Sequence, residues 1–414
     1  MIIKQFIIVP FLKTTMKSID SVIKIASRCN INCKYCYMYN MGDSSYRMQP
    51  KYMTLETVKN LAIKAKEYCT LKNVKAFHFI FHGGEPLLTK IEYFQKILDT
   101  IKEHLYPEIY PVFSIQTNAT LITDEWAFFI KKNKINIGIS LDGDKSVNDE
   151  NRIDHRGHGT YDRVIKGINV LKKHDINVSI LSVINVNSDP VATYNHLKYL
   201  GIDSVDFLIP DHNYDNAPAT IKHDLTYKRE ETPYADWLLK IFDLWFMEEK
   251  PIDIRFFRYS LIVFLGGNIS FDYIGTDTND VFVIETNGDI EPVDSLKICG
   301  ENFTKTNRNV NQTSFSEATK TPIIDLYIHS KNKDKQCVQC QKCPIFEICG
   351  GGFIPHRYHS GNGFDNPSIY CSDLIKLFTY IQNTLLNQLD IKEKENMEYL
   401  DTKKIKSVLD TVYN

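Results

Sequence analysis

No stretch of the chain reaches the roughly 18 uninterrupted apolar residues that a membrane-spanning helix needs. The apolar patch IIVPFL at 7–12 is too short for that, and no small-residue cleavage site follows it, so a signal peptide is not expected. Charge of neither sign dominates: 49 Lys and Arg face 51 Asp and Glu, a formal net charge of −2. With no basic stripe, nucleic acid is not an expected partner, and neither is a membrane. Apolar residues are plentiful, at 43% of 414, enough for a large core and two or three domains. A cytoplasmic enzyme is the expectation. Ten cysteines in such a chain point to thiolate ligation rather than disulfides.

Three of those cysteines, Cys29, Cys33 and Cys36, form a C-x-x-x-C-x-x-C run with no fourth member. Three thiolates on one tight loop can hold three irons of a 4Fe–4S cube and leave the fourth iron open to a small molecule. The alternative is zinc, which wants four protein ligands, or three and a water, and recruits a Cys or His from elsewhere. Context bears on the choice. Residues 21–27 (SVIKIAS) read as a β-branched strand running into the loop, and 54–69 as a helix capped by Thr54. FHFIF (77–81), VFSIQ (112–116), INIGISL (135–141), NVSILSVINV (177–186) and SVDFLIP (204–210) read as buried strands. Amphipathic segments near 90–104, 123–133, 160–174 and 190–200 lie between them. Alternation at this length predicts βαβ units on a parallel sheet, with the active site at the strand C-terminal ends. Phe81-His82-Gly83-Gly84-Glu85-Pro86 closes the second strand. Two glycines there let backbone approach a ligand, and a carboxylate can accept from an ammonium group; a plain turn is the alternative.

The triplet resembles the cluster loop of the radical SAM superfamily, and the glycine pair resembles that family's GGE motif. The resemblance implies an α/β fold, a partial (β/α)6 radical SAM barrel. It also implies that the open iron chelates the methionyl amine and carboxylate of S-adenosylmethionine, whose reductive cleavage yields a 5′-deoxyadenosyl radical. Gly83, Gly84 and Glu85 then hold the methionyl amine. Ser140 and Arg152 match the contacts to ribose and methionyl carboxylate, and Tyr35 and Leu208 those to adenine.

Beyond the barrel, residues 211–233 read as a polar connector, and ADWLLKIFDLWF (235–246) as an aromatic-rich packing helix. VFVIETNGDIEPVDSL (281–296) reads as a hairpin turning at Asn287-Gly288. A second cysteine group follows: Cys337, Cys340, Cys343, Cys349 and Cys371. By spacing alone it fits a four-cysteine zinc knot as well as an iron–sulfur site. This region resembles the SPASM auxiliary-cluster domain, in which Cys340, Cys343, Cys349 and Cys371 match the ligands of the second auxiliary 4Fe–4S cluster. The C-x-x-C-x-x-C run leaves a second register, through Cys337, open. Ligands of a first auxiliary cluster are missing: no Cys lies around 272–278, and Val293 and Phe353 stand at the other positions. The organisation expected is an N-terminal extension (1–20), the barrel (21–210), a connector and helical insert (211–280), the SPASM-like auxiliary domain (281–375) and a C-terminal helix (376–414).

The stretches 36–53, 207–218 and 349–371 resemble FxsB-like and XYE-type maturases of ribosomally made peptides. That likeness implies cyclophane formation, the joining of an aromatic ring to a nearby β-carbon, on a precursor peptide with leader and core. The cofactors implied are S-adenosylmethionine, one 4Fe–4S cluster with an open iron and one auxiliary 4Fe–4S cluster. An electron donor such as flavodoxin or ferredoxin is the implied partner. Asp294, Asp211 and His212 are the candidate proton acceptors. The alternatives are sulfatase maturation, which normally comes with both auxiliary clusters, thioether formation, epimerisation, and a zinc-bound module without SAM chemistry.

Overall fold

The computed structural model describes residues 17–279, 281–389 and 398–412, so the IIVPFL patch lies outside the described residues. Six parallel strands form the barrel wall: β1 (Ser18–Ala26), β2 (Ala76–Gly83), β3 (Tyr110–Thr117), β4 (Asn136–Ser140), β5 (Ser179–Val183) and β6 (Ser204–Leu208). Between them run α1 (Leu55–Leu71), α2 (Ile91–Leu105), α3 (Asp124–Lys132), α4 (Lys145–Asn151), α5 (Tyr161–Lys173) and α6 (Pro190–Tyr199). Local chemistry starts these helices. Thr54 Oγ1 accepts from the Thr57 amide at 3.1 Å, and Asp144 Oδ1 from the Ser146 amide at 2.9 Å. Asp189 caps α6 in the same way, with Pro190 at the first helical position.

Period-2 alternation sorts each strand. On β2, Phe77, Phe79 and Phe81 are buried on the helix side, where Phe81 meets Phe94 of α2 edge-on at 4.9 Å. His78, Ile80 and His82 occupy the other face, toward the barrel interior. Register then sets neighbours: Lys24 of β1 lies beside His82 of β2, and Val183 of β5 beside Leu208 of β6.

The sheet is larger than six strands. Its order is β7-β6-β5-β4-β3-β2-β1-β8-β9, with β7 at Asp253–Ile254, β8 at Phe282–Ile284 and β9 at Ile290–Glu291. The barrel is therefore open, with β7 and β9 as edges. The Asn287-Gly288 hairpin forms as expected, Gly288 taking φ +93°, a left-handed value that glycine tolerates best. Its strands do not stand apart from the barrel, however. Through β8 they extend its sheet, parallel to β1. This places the residues after the hairpin against the barrel mouth.

The aromatic helix α7 (Pro233–Met247) is a packing element, burying Trp237, Phe242 and Trp245. The C-terminal helix Cys371–Gln388 packs on it, and a buried ion pair between Arg229 and Asp373 pins the junction. Among the described residues, no helix is long and apolar enough to cross a membrane.

Candidate active site

The inward-facing ends of the strands and the loop after β1 enclose a cavity of about 220 Å³. Cys29, Cys33 and Cys36 all line it, with Gly83, Gly84, Ser140, Arg152, Leu208 and Tyr35 on the surrounding walls. The cysteine loop is shaped by backbone bonds: the Cys36 amide donates to the Cys33 carbonyl at 3.1 Å, and the Asn32 amide to the Ile153 carbonyl at 2.7 Å. Burial pushes the thiols up, that of Cys36 to about 12, so three thiols share a site suited to a cation that would ionise them.

Glycine is needed at both positions of the pair. A side chain on Gly83 would overlap the Ala26 carbonyl, and one on Gly84 the Arg28 carbonyl and the Tyr39 hydroxyl. Glu85 is not on the cavity wall. Its carboxylate accepts from Thr117 Oγ1 at 2.6 Å and from the Leu87 and Asn118 amides at 3.0 and 2.9 Å, locking the glycine turn to the next strand. Ser140 accepts from Gln116 Nε2 at 3.0 Å.

Arg152 is 6% exposed and donates through Nη1 to the Tyr35 hydroxyl at 2.9 Å; that hydroxyl in turn donates to Asp142 at 2.6 Å. The Arg152 Nε is buried without a partner. An orphaned guanidinium donor at a cavity wall leaves room for one more anionic acceptor.

The proton-acceptor candidates separate by geometry. Asp211 lines the cavity, its Oδ1 is buried without a hydrogen bond, and burial beside Asp294 raises its carboxyl to about 7. His212 also lines the cavity, with its Nδ1 2.7 Å from the Asn216 carbonyl, and burial lowers its pKa. Asp294 stands behind the wall. Burial opposes its ionisation, but Lys24 at 3.3 Å, His82 and the Tyr37 hydroxyl at 2.9 Å hold it below the usual carboxylate range. Lys24 also meets Glu285 at 2.8 Å, and Glu285 meets Lys297 at 3.2 Å, so a buried charge network anchors Asp294.

Sequence reasoning missed Tyr37 and His82, which both line the cavity. Tyr37 connects Asp294 to the cavity, and the Nδ1 of His82 is buried without a partner. Their signal was position, one directly after the triplet and the other directly before the glycine pair.

In the C-terminal region, Cys340, Cys343, Cys349 and Cys371 line one small cavity, and Cys337 does not. The four thiols therefore share one cavity lining, brought together from three stretches of the C-terminal region. Elsewhere Val293, Phe353 and Tyr273 meet in one apolar cluster with Leu296 and Tyr327, the rings of Tyr273 and Phe353 4.7 Å apart.

Residues 23–196 match the Radical SAM superfamily. Along nearly its full length the chain is also similar to the cysteine-type anaerobic sulfatase-maturating enzyme of Clostridium novyi, at 29% identity over 89% of this chain and 99% of the relative. The serine-type anaerobic sulfatase-maturating enzyme of Bacteroides thetaiotaomicron is 24% identical over 90% of each. The solved structure of native anSMEcpe with bound AdoMet and the Cp18Cys peptide superposes with a TM-score of 0.75 at 26% identity, over 90% of this chain and 98% of that one. The superfamily implies S-adenosylmethionine and a 4Fe–4S cluster, and the residues here fit both. Three thiols meet at one cavity, and the free Nε of Arg152 suits the methionyl carboxylate. Arg152→Leu is expected to remove about 1.5–3 kcal/mol of charged hydrogen bonding, weakening S-adenosylmethionine binding roughly 10- to 150-fold by calorimetry.

Proposed function

We propose that this chain is a radical SAM enzyme that modifies a ribosomally made peptide by joining an aromatic ring to a nearby β-carbon. S-adenosylmethionine and the cluster, held by Cys29, Cys33 and Cys36, supply when bound a radical able to take an unactivated hydrogen. The chain's own residues do the rest. Arg152, Ser140 and Tyr35 orient the cofactor, and the open barrel mouth admits the peptide. A ring that has gained a bond must shed a proton and an electron to regain aromaticity.

Asp211 carries this reading. It lines the cavity, its Oδ1 makes no hydrogen bond and stands 3.9 Å from His356 Nε2, and its carboxyl, raised to about 7, is matched to accepting a proton near neutrality. Asp294, held ionised, positions the Tyr37 hydroxyl. Four thiols around the second cavity suit an auxiliary 4Fe–4S cluster as the electron acceptor, with flavodoxin or ferredoxin supplying electrons to the first.

A second reading, oxidation of a peptide Cys or Ser to formylglycine, is favoured by the relatives' activity. Counting against it is the apolar cluster of Val293, Phe353 and Tyr273, where the resemblance places a further cluster's ligands.

The sign of the Asp211 shift gives a test. Because its pKa is raised on folding, ionisation costs the fold stability as pH climbs from the ordinary carboxylate range through about 7. The same ionisation creates the base. Cross-linked peptide formed per 5′-deoxyadenosine is expected to rise with pH through about 7 and then level. A ratio flat across that range would remove Asp211 from the role.

A further inference from the structure

The run Cys349-Gly350-Gly351-Gly352 has three glycines in a row with positive φ, +58°, +80° and +71°. Space as well as conformation is at stake. A Cβ on Gly350 would overlap the Gly275 carbonyl, with Lys331 Nζ at 3.4 Å, and one on Gly351 would overlap Gln336 Oε1, with Arg357 Nη1 at 3.1 Å. The glycines therefore let the backbone beside Cys349 lie against the two oxygens to which Lys331 and Arg357 donate. Gly351 itself lines the cavity of Cys340, Cys343, Cys349 and Cys371.

Both cations are buried, Lys331 at 1% exposure and Arg357 at 2%. Among the described residues neither has a carboxylate within ion-pair distance. Lys331 donates to the carbonyls of Ile274 and Gly275 at 3.0 and 3.2 Å. Its field includes Asp272, itself occupied by the Tyr327 hydroxyl at 3.0 Å, together with Cys349 and Asp277. Arg357 donates to the Gln336 side chain and to the Ser330 carbonyl, and its Nε has no partner. The ionisable groups that would offset its charge are all thiols: Cys340, Cys337 and Cys349. An isolated cation in a dry interior is costly unless an anion compensates it. The neighbouring cavity is lined by four thiols. Four thiolates outweigh the positive charge of an iron–sulfur core, and reduction adds more negative charge.

We propose that Arg357 and Lys331 are the counter-charges of a cluster held by Cys340, Cys343, Cys349 and Cys371, and that they raise its reduction potential. The proposal rests on the two-cluster reading above and adds what tunes the second cluster. Nearby charge, hydrogen bonds to sulfur and solvent exposure set such potentials. Here two cations are fixed in a buried site, and Gln339 Nε2 donates to Cys371 Sγ at 3.4 Å. Both features favour the reduced form, as an electron acceptor requires.

The test is a redox titration followed by electron paramagnetic resonance on reconstituted full-length protein. A background with Cys29, Cys33 and Cys36 as alanine leaves only the second cluster. Arg357→Gln and Lys331→Gln are each expected to lower the reduced-to-oxidised ratio at fixed potential at least tenfold, about 59 mV for one electron. Arg357→Lys, which keeps the charge, is expected to restore most of the shift. Loading of Arg357→Lys but not Arg357→Gln also supports the proposal, since the cation then decides whether the cluster binds. Should neither load, Lys331→Gln alone decides. Wild-type ratios in both glutamine variants overturn the counter-charge role while leaving the cluster in place. No second iron–sulfur signal in the wild type overturns the two-cluster reading itself.

Discussion

Replacing Cys29, Cys33 and Cys36 together with alanine is expected to abolish formation of 5′-deoxyadenosine and of modified peptide, while the protein keeps its fold. The loss should be complete rather than graded, because among the described residues no other cysteine lines that cavity. The fold should survive because the loop is held by its backbone and not by sulfur. Asn40 donates from its backbone amide to the Cys36 carbonyl at 2.8 Å, and the Lys34 amide to the Asn151 carbonyl at 2.9 Å. Circular dichroism should show an unchanged spectrum, and iron analysis should show about half the wild-type content if two like clusters are present. Residual 5′-deoxyadenosine in the triple variant would mean that the radical is generated elsewhere.

Asp211→Asn carries the second large effect. The substitution preserves shape but removes the proton acceptor, so cross-linked product should fall by about 10²–10⁴. Formation of 5′-deoxyadenosine should continue, since the three cysteines, Ser140, Arg152 and Tyr35 are unaltered. The signature is uncoupling, with cofactor consumed and peptide released unlinked. Asp294→Asn should behave differently. It removes the anion that Lys24 and Tyr37 share, leaving a cation at 0% exposure with Glu285 as its remaining anionic neighbour. A lower melting temperature should accompany its loss of activity. Equal product-to-5′-deoxyadenosine ratios in wild type and Asp211→Asn would assign the proton to another group.

The parts of the site legible in the sequence were those built by local rules. The alternation of strand and helix depends on neighbours a few residues away and formed as expected, and the cysteine triplet and the glycine pair after β2 line one cavity. Arg152 lies close along the chain to β4, at the end of the short helix α4 that follows it. What escaped depends on contacts between distant segments. Nothing near Asn287-Gly288 says that β8 will pair with β1, yet that pairing sets Glu285 and Asp294 against Lys24. Tyr37 reads as one aromatic among several until Asp294 meets it from 257 residues away. Glu85 shows a second use of its carboxylate that the sequence did not reveal: it accepts from Thr117, Asn118 and Leu87 and so braces the glycine turn. The three glycines after Cys349 could be seen, but the buried Lys331 and Arg357 beside them could not.

The central claim is that radical chemistry at this barrel mouth links carbon to carbon in a peptide. Its most direct test is mass spectrometry of the neighbouring precursor peptide after anaerobic co-expression with the enzyme. The expected product is lighter by two hydrogens per site, with its cysteines still open to alkylation and no aldehyde reactive toward a hydrazide. Fragmentation should then stop between an aromatic residue and a nearby partner. A hydrazide-reactive product would establish formylglycine formation, and an unchanged mass would contradict cross-linking altogether.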